Sequence, residues 1–390
     1  MSVRVQTAPA VLLAASYGVK VGYAWNNIYR LFNAVMRALH ERGLRIVVSF
    51  REIDGPTTIF DPDLPFETLV FDPRRVSLSS VTKLAHEIRH RNIRHVYLTD
   101  QPAVRWDYPL MRAAGVRTIV THNRISVPDP RPAVPVRGPR GAAKRLMHRL
   151  PWAGVDRVFA VSNFVRDRLV ANGVPASRVR TILNGIDVDG WRCPEPVADS
   201  PQVTFFAGAR AMRYKGGLTL IEAAARLRSR HGIENFRVRY AGDGPDLELF
   251  RDTIQRLGLV PHVELLGKLD STRAEVCRAD VIVVPSEYGD ACPSTVSEAL
   301  ASGRPLIATV AGGIPELVGD PGNAVLVPPG DADRLAEAMA SLVHDPERRR
   351  QIGLRGRQRA EQALRQESYH AAVIDALLAE FGEPPRAITA

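Results

Sequence analysis

The sequence predicts two doubly wound α/β domains in series. Three observations predict this. Short β-branched runs alternate with amphipathic helical stretches, the alternation stops and restarts once near the middle, and 390 residues exceed what one ordinary core organises. Apolar residues at 45% and charged residues at 24% fit a globular chain, and no apolar run approaches the ~18 residues of a membrane span.

In the first series, strands are expected at 10–15, 44–50, 95–98, 116–121 and 155–161, with helices such as 28–42 and 79–91 between them. The run 8–15 is short and lacks a secretory pattern around it, so it reads as a first buried strand and not as a signal peptide. In the second series, strands are expected at 203–207, 236–241, 263–266, 281–284 and 306–308, and helices at 218–231, 246–257, 294–301 and 332–344. Short apolar runs separated by helices imply parallel sheets. The join falls where Trp191-Arg192-Cys193-Pro194-Glu195-Pro196 shows no period and two prolines. The expected organisation is therefore a first domain at 1–190, a linker at 191–200, a second domain at 201–363 and a helical tail at 364–390.

Net charge is +10 and unevenly spread: residues 1–195 hold 29 Lys+Arg against 16 Asp+Glu, and residues 196–390 hold 23 against 26. No acid lies between Asp129 and Asp156, whereas Arg131, Arg137, Arg140, Lys144, Arg145 and Arg149 do. Such a block attracts anionic lipid headgroups or phosphorylated acceptors, although a solvated basic loop explains it as simply. It lacks the interleaved aromatics that stack bases, so nucleic acid is not expected. Cys193, Cys277 and Cys292 have no metal-ligand spacing, and three is a poor disulfide framework. A reducing, cytoplasmic setting is expected, with Cys277 and Cys292 as packing residues and peripheral contact at the inner face of a membrane.

The strongest motif runs from Pro285-Ser286-Glu287-Tyr288-Gly289-Asp290 through Pro293-Ser294-Thr295 to Glu298 and Gly303-Arg304-Pro305. A buried strand ends at Pro285, and a helix begins near Pro293, where a missing N–H costs little. The free amides of Ser294 and Thr295 then sit at the positive end of that helix, which suits a diphosphate. Asp290 and Glu298 can flank one ligand, Asp290 at a sugar and Glu298 at ribose hydroxyls. Alone, the motif fits an ordinary strand–loop–helix equally well. A second piece, Gly208-Ala209-Arg210 to Tyr214-Lys215-Gly216-Gly217, puts Arg210 and Lys215 at the carboxyl end of the first strand of the second domain, the usual ligand edge. Two cations there neutralise a leaving diphosphate. Gly242 in Tyr240-Ala241-Gly242-Asp243-Gly244 marks another strand end with room for a ligand, and Gly267-Lys268 offers backbone that can read a nucleobase edge.

In this order the pieces resemble the family-4 retaining glycosyltransferases with the two-domain GT-B fold. The resemblance covers most of 155–345 and includes Ala160-Val161-Ser162-Asn163-Phe164-Val165, Asn184-Gly185-Ile186-Asp187 and Ala311-Gly312-Gly313-Ile314-Pro315-Glu316. It implies two Rossmann-like domains facing each other across a cleft, with the tail helix returning to the first. It also implies a UDP- or GDP-linked sugar donor on the second domain and acceptor binding by the first. Glu298 matches the second acid of the family's Glu-x7-Glu motif, and Asp290 takes the first place one methylene shorter. By the resemblance Arg210 and Lys215 bind the donor diphosphate, and His122 in Thr121-His122-Asn123 faces the donor sugar. The first domain departs from the family's Gly-Gly loop: Ser16-Tyr17-Gly18-Val19 leaves Gly18 as the candidate for close approach to the donor, and Tyr17, Tyr23, Trp25 and Asn26 as candidate acceptor contacts.

The implied activity is transfer of a hexosyl group with retention, in glycan or glycosylated natural-product biosynthesis, with no cofactor and no metal. A nucleotide-sugar epimerase of the same fold and a non-catalytic sugar-nucleotide-binding protein are the alternatives. His86-Glu87-Ile88-Arg89-His90 matches His-Glu-x-x-His, the zinc-protease signature, but the stripe Val81, Leu84, Ala85 and Ile88 turns both histidines to solvent, and no third ligand is at hand. Asp61-Pro62-Asp63 mimics a metal-binding Asp-x-Asp and reads as a turn.

Overall fold

The computed structural model describes residues 8–14, 26–52, 60–124, 138–150, 152–194 and 201–382. The chain divides into two compact units: one of 1–125, 133–182 and 369–390, the other of 126–132 and 183–368.

The first unit is built from β1 (Ala10–Ala14), α1 (Asn26–His40), β2 (Arg45–Phe50), β3 (Glu67–Val70), α2 (Leu78–His90), β4 (Ile93–Thr99), α3 (Tyr108–Ala114), β5 (Thr118–Asn123), α4 (Gly138–Arg149), β6 (Arg157–Ala160), α5 (Asn163–Ala171) and β7 (Val179–Thr181). Its seven strands run in the order β3-β2-β1-β4-β5-β6-β7, and every recorded pairing is parallel. β1 is buried at all five positions because helices cover both faces, which is why it reads as an unbroken apolar run. The α1 residues Leu31, Phe32, Val35, Met36 and Leu39 recur at helical spacing and pack with Tyr97 and Phe159 in the core of this unit.

The second unit contains β8 (Val203–Gly208), α6 (Gly217–His231), β9 (Phe236–Ala241), α7 (Leu247–Arg256), β10 (Val263–Gly267), α8 (Arg273–Arg278), β11 (Val281–Val284), α9 (Ser294–Ser302), β12 (Leu306–Thr309), α10 (Ile314–Val318), β13 (Val325–Val327), α11 (Ala332–His344) and α12 (Pro346–Ala363). Its six strands lie in the order β10-β9-β8-β11-β12-β13, again with parallel pairings. One core forms under α6, α7 and α11, and another under α9 and α10 on the opposite face. The last helix, α13 (Gln366–Phe381), places Tyr369, Val373, Leu377 and Phe381 in the core of the first unit.

Three details differ from the sequence reading. The basic stretch is not all loop, because 138–149 forms α4. Trp191 is buried in the second unit's core. Cys277 is not merely a packing residue: it is disulfide-bonded to Cys193 with Cα atoms 5.3 Å apart, a pairing across 84 residues that counting cysteines does not reveal. No helix among the described residues is long and apolar enough to cross a membrane.

Candidate functional site

In an open parallel sheet, ligands gather outside the carboxyl ends of the strands where the strand order reverses. In the second unit that point lies between β8 and β11. The loops leaving these two strands carry Arg210, Lys215 and Asp290, and β11 feeds α9 with Ser294, Thr295 and Glu298.

The loops are locked by backbone pressed on backbone. Gly216 has φ +73°, and a Cβ there would lie 1.8 Å from the Pro285 carbonyl oxygen, so the loop that carries Lys215 seats directly on the end of the β11 segment. Gly312, at φ +59°, would put a Cβ 2.0 Å from the Asp290 carbonyl oxygen, which also accepts the Gly313 amide at 2.8 Å. Gly242 would place one 1.8 Å from the Ala209 carbonyl oxygen. The side-chain space at Gly242 is thus taken up by protein, whereas Gly267 opens onto empty space beside the exposed Lys268.

On this frame, Lys215 Nζ lies 2.8 Å from Asp290 Oδ2, and the Ser286 hydroxyl donates to the same oxygen at 2.7 Å. Asp290 and Ser286 are 7% and 1% exposed, and the Ser286 carbonyl in turn accepts the Thr309 hydroxyl. The sequence named both members of the ion pair but not their bond, and it missed Ser286 as a support although it stands inside the quoted motif. Arg210 is exposed and forms no ion pair among the described residues; its carbonyl accepts the Tyr240 hydroxyl at 3.1 Å. An exposed cation on the loop after β8 and a second one held there on a carboxylate both suit an anionic ligand at this strand edge.

α9 starts after Pro293 with no side-chain cap, which leaves its first amides at the positive end of the helix dipole. Thr295 donates its hydroxyl to the Gly208 carbonyl at 2.9 Å, pinning this helix start to the end of β8. One turn further in, Glu298 is 5% exposed; burial pushes its carboxyl up to about 7, against hydrogen bonds from Ser294 and Thr272 that favour the charged form. The Thr272 hydroxyl is 3.4 Å from Glu298 Oε2, a contact with no sequence signal because Thr272 lies outside the motif.

His122 belongs to the first unit. It is fully buried on β5, with Nδ1 2.7 Å from the Tyr97 hydroxyl and Nε2 without a partner. Burial, then the charge of Arg124, holds the imidazole well below its ordinary value, so it is neutral. Arg124 donates to the Tyr369 hydroxyl at 2.9 Å, and the Tyr369 ring lies 6.3 Å from that of His122. Gly18, Tyr17, Tyr23, Trp25, Arg131 and Arg137 lie outside the described residues, as does the side chain of Asn26.

The zinc-like motif has the placement its period demands. Val81, Leu84 and Ile88 are buried, His86 and His90 are exposed, and Glu87 is paired with Arg91 at 2.6 Å. Asp61 Oδ1 accepts the Asp63 amide, the turn expected there. Among the described residues no three His, Cys, Asp or Glu gather closely enough to hold a metal ion.

The model of the family "Glycosyl transferases group 1" matches residues 191–359, and that of "Glycosyltransferase Family 4" matches residues 30–189. A GDP-mannose-dependent alpha-(1-6)-phosphatidylinositol monomannoside mannosyltransferase of Mycobacterium tuberculosis is 30% identical over 222 residues, 53% of this chain and 57% of that protein. The chain spans from 21% to 57% of the length of the first curated relatives it matches. Among solved structures, a glycosyltransferase from Rickettsia africae superposes with a TM-score of 0.76 at 16% identity, covering 96% of this chain and 100% of that one. Anabaena HepE, solved with UDP-glucose, gives 0.72 at 19% identity over 95% of this chain and 99% of that one. These structural likenesses establish the fold.

Proposed function

The chain belongs to the family-4 glycosyltransferases of two-domain GT-B fold, and from that premise we propose that it transfers a sugar, with retention, from a UDP- or GDP-linked donor to an acceptor hydroxyl. The observation that carries this reading is the Lys215–Asp290 pair at the β8/β11 switch point, beside the exposed Arg210 and the uncapped start of α9. Relatives that use GDP-mannose and neighbours solved with UDP or UDP-glucose support a nucleotide-sugar donor.

In the proposed mechanism the donor diphosphate takes Lys215 from Asp290. The ammonium, the Arg210 guanidinium and the amides of Ser294 and Thr295 then face the phosphate oxygens. The freed Asp290 carboxylate, still oriented by Ser286, accepts a sugar hydroxyl, and Glu298 in its charged form accepts the ribose hydroxyls. His122 is assigned to the donor sugar by the resemblance alone; its neutral imidazole is wholly buried on β5. The acceptor oxygen bonds to the anomeric carbon as the bond from that carbon to the phosphate oxygen breaks. The departing diphosphate carries off the electron pair and takes the acceptor's proton, giving a glycoside and a nucleoside diphosphate. The positive cluster supplies the charge stabilisation for which other transferases use a metal ion.

The test is a thermal-shift and nucleotide-release panel over UDP- and GDP-sugars, with and without EDTA. A cognate donor at 100 times its dissociation constant adds about 2.7 kcal/mol of stability. Slow nucleotide release without acceptor, unchanged in EDTA, is expected. Absence of a shift with every donor removes the transferase reading, and stabilisation without release leaves a binder. Loss of release in EDTA, restored by manganese, removes the metal-independent mechanism.

A further inference from the structure

Ten large apolar side chains stay exposed among the described residues, and five of them fall in two short stretches of the first unit: Trp106 (51%), Leu110 (41%), Leu146 (62%), Met147 (48%) and Trp152 (55%). The two stretches are tied together. Val104 and Gly154 form an antiparallel bridge, and the Val155 amide donates to the Ala103 carbonyl at 2.9 Å. Trp106 and Trp152 each stand two residues from this bridge, in turns on the two chain segments that it joins. On α3, Arg112 reaches the Gly154 carbonyl at 2.9 Å and Asp156 at 3.0 Å, which fixes the helix bearing Leu110 against the same bridge.

α4 completes the surface. Gly141 and His148 are buried, and the Arg145 stem packs near Gly173, so this side of the helix faces the body of the unit. Leu146 and Met147 are exposed, and the Ala153 amide donates to the Leu150 carbonyl at 3.2 Å, which keeps Trp152 close to the end of α4. The sequence from 130 to 155 contains no acid, and Arg145 and Arg149 on α4 are exposed. Clustered tryptophan, leucine and methionine on a solvent face is a feature that a freely soluble surface avoids. Amphipathic rings with cations beside them match the headgroup layer of a bilayer, where the rings settle at the boundary and the cations meet phosphate.

We propose that the face made by Trp106, Leu110, Leu146, Met147 and Trp152, with Arg149 beside it, docks the protein onto an anionic lipid bilayer. Basic charge alone would be held loosely and released by salt; the two tryptophans convert that attraction into insertion. The docking is independent of catalysis and can be measured without a donor or an acceptor.

The experiment is sedimentation of the full chain with vesicles of neutral phosphatidylcholine and of phosphatidylcholine with 30% phosphatidylglycerol, alongside tryptophan emission. Strong preference for the anionic vesicles, with a blue-shifted emission, is expected. Trp106→Ser with Trp152→Ser should weaken partitioning about tenfold or more at unchanged Tm, since interfacial rings supply the insertion. Arg149→Ser should weaken it by roughly fivefold. Equal binding to both vesicle types overturns the proposal, as does binding that survives loss of both tryptophans. If the wild type ignores vesicles but forms a dimer that the double variant dissolves, the face belongs to a second copy and the membrane assignment falls. A double variant that melts early is replaced by Trp106→Gln and Trp152→Gln taken singly.

Discussion

In the second sheet the strand order reverses between β8 and β11, and the loops there are fixed by glycine: Gly216 against Pro285, Gly312 against Asp290, and nearby Gly242 against Ala209. In the first sheet it reverses between β1 and β4, and the neighbouring strand ends are fixed by side chains. Asp100, at φ +56°, accepts the Arg124 amide on its carboxylate; the Thr121 hydroxyl donates to the Gln101 carbonyl; Tyr97 holds His122, and Arg124 holds Tyr369. A contact between two backbones tolerates only glycine, at a set distance from a strand end, and therefore leaves a motif. A side-chain network can be assembled from many residue types at many spacings, and it leaves none.

If that contrast is right, the largest effect should come from the glycines. Gly216→Ala should cost about 3–5 kcal/mol, combining strained backbone with a clash that neither main chain can relieve. Gly43 in the first unit has nearly the same φ, +71°, and nothing within 4 Å of the methyl that Gly43→Ala would add. That substitution should cost about 1 kcal/mol. Chemical denaturation of both variants decides the matter, and similar losses would dissolve the distinction between the two units.

A frame so stiff implies that something on it must not move. Lys215→Ala, measured by steady-state kinetics with the cognate donor, should lower kcat by about 10²–10³-fold, because one preorganised charge is lost where negative charge gathers. Arg210→Lys should restore only part of the activity of Arg210→Ala, since an ammonium cannot hold two phosphate oxygens at once. A wild-type kcat in Lys215→Ala would make the pair with Asp290 a structural bond only.

The smallest effect is a matter of pH, and the two units should differ in sign. Burial raises the carboxyl of Glu298 from 4.5 to about 7, so between those values the folded chain holds a proton that the unfolded chain has released. Stability in the absence of donor should therefore fall as pH rises through that window, by at most about 3 kcal/mol, and Glu298→Gln should flatten the slope. His122 does the reverse. Its folded value lies well below 6.5, so the unfolded chain takes the proton first, and stability falls as pH drops below 6.5. Melting curves from pH 4.5 to 8 that keep the wild-type slope in Glu298→Gln would place the titration elsewhere.

The same physics explains what the sequence disclosed. α1, α6 and α11 carry apolar stripes at helical spacing, and the buried strands are unbroken apolar runs, so both series of elements were legible. β3 escaped because its four residues, Glu67–Val70, are an edge strand with alternating partial exposure. α12 escaped because its inward side carries few large apolar residues: beside Ile352 and Ala360 it buries Arg349, Gly353, Gly356 and Arg357, with Gly353 close against the Gly303 carbonyl and Arg357 bonded to the Val188 and Ala301 carbonyls. In the site, Lys215, Asp290 and Glu298 were visible as charges at strand and helix ends. Ser286 and Thr272 were not singled out, because a hydroxyl that orients a carboxylate looks like any other serine or threonine.

One small pairing has a wider consequence. Ile186 and Arg365 form a parallel bridge, with the Ile186 amide donating to Leu364 at 2.8 Å and the Gln366 amide donating to Ile186 at 2.9 Å. The place where the chain enters its second unit and the place where it leaves are thus side by side. Topologically, residues 183–368 form a cassette with adjoining ends, and a segment of that kind can be exchanged between genes without rethreading the rest of the chain. Such an arrangement lets inheritance shuffle halves, so that one half of a sequence can keep an old signature while the other is rewritten.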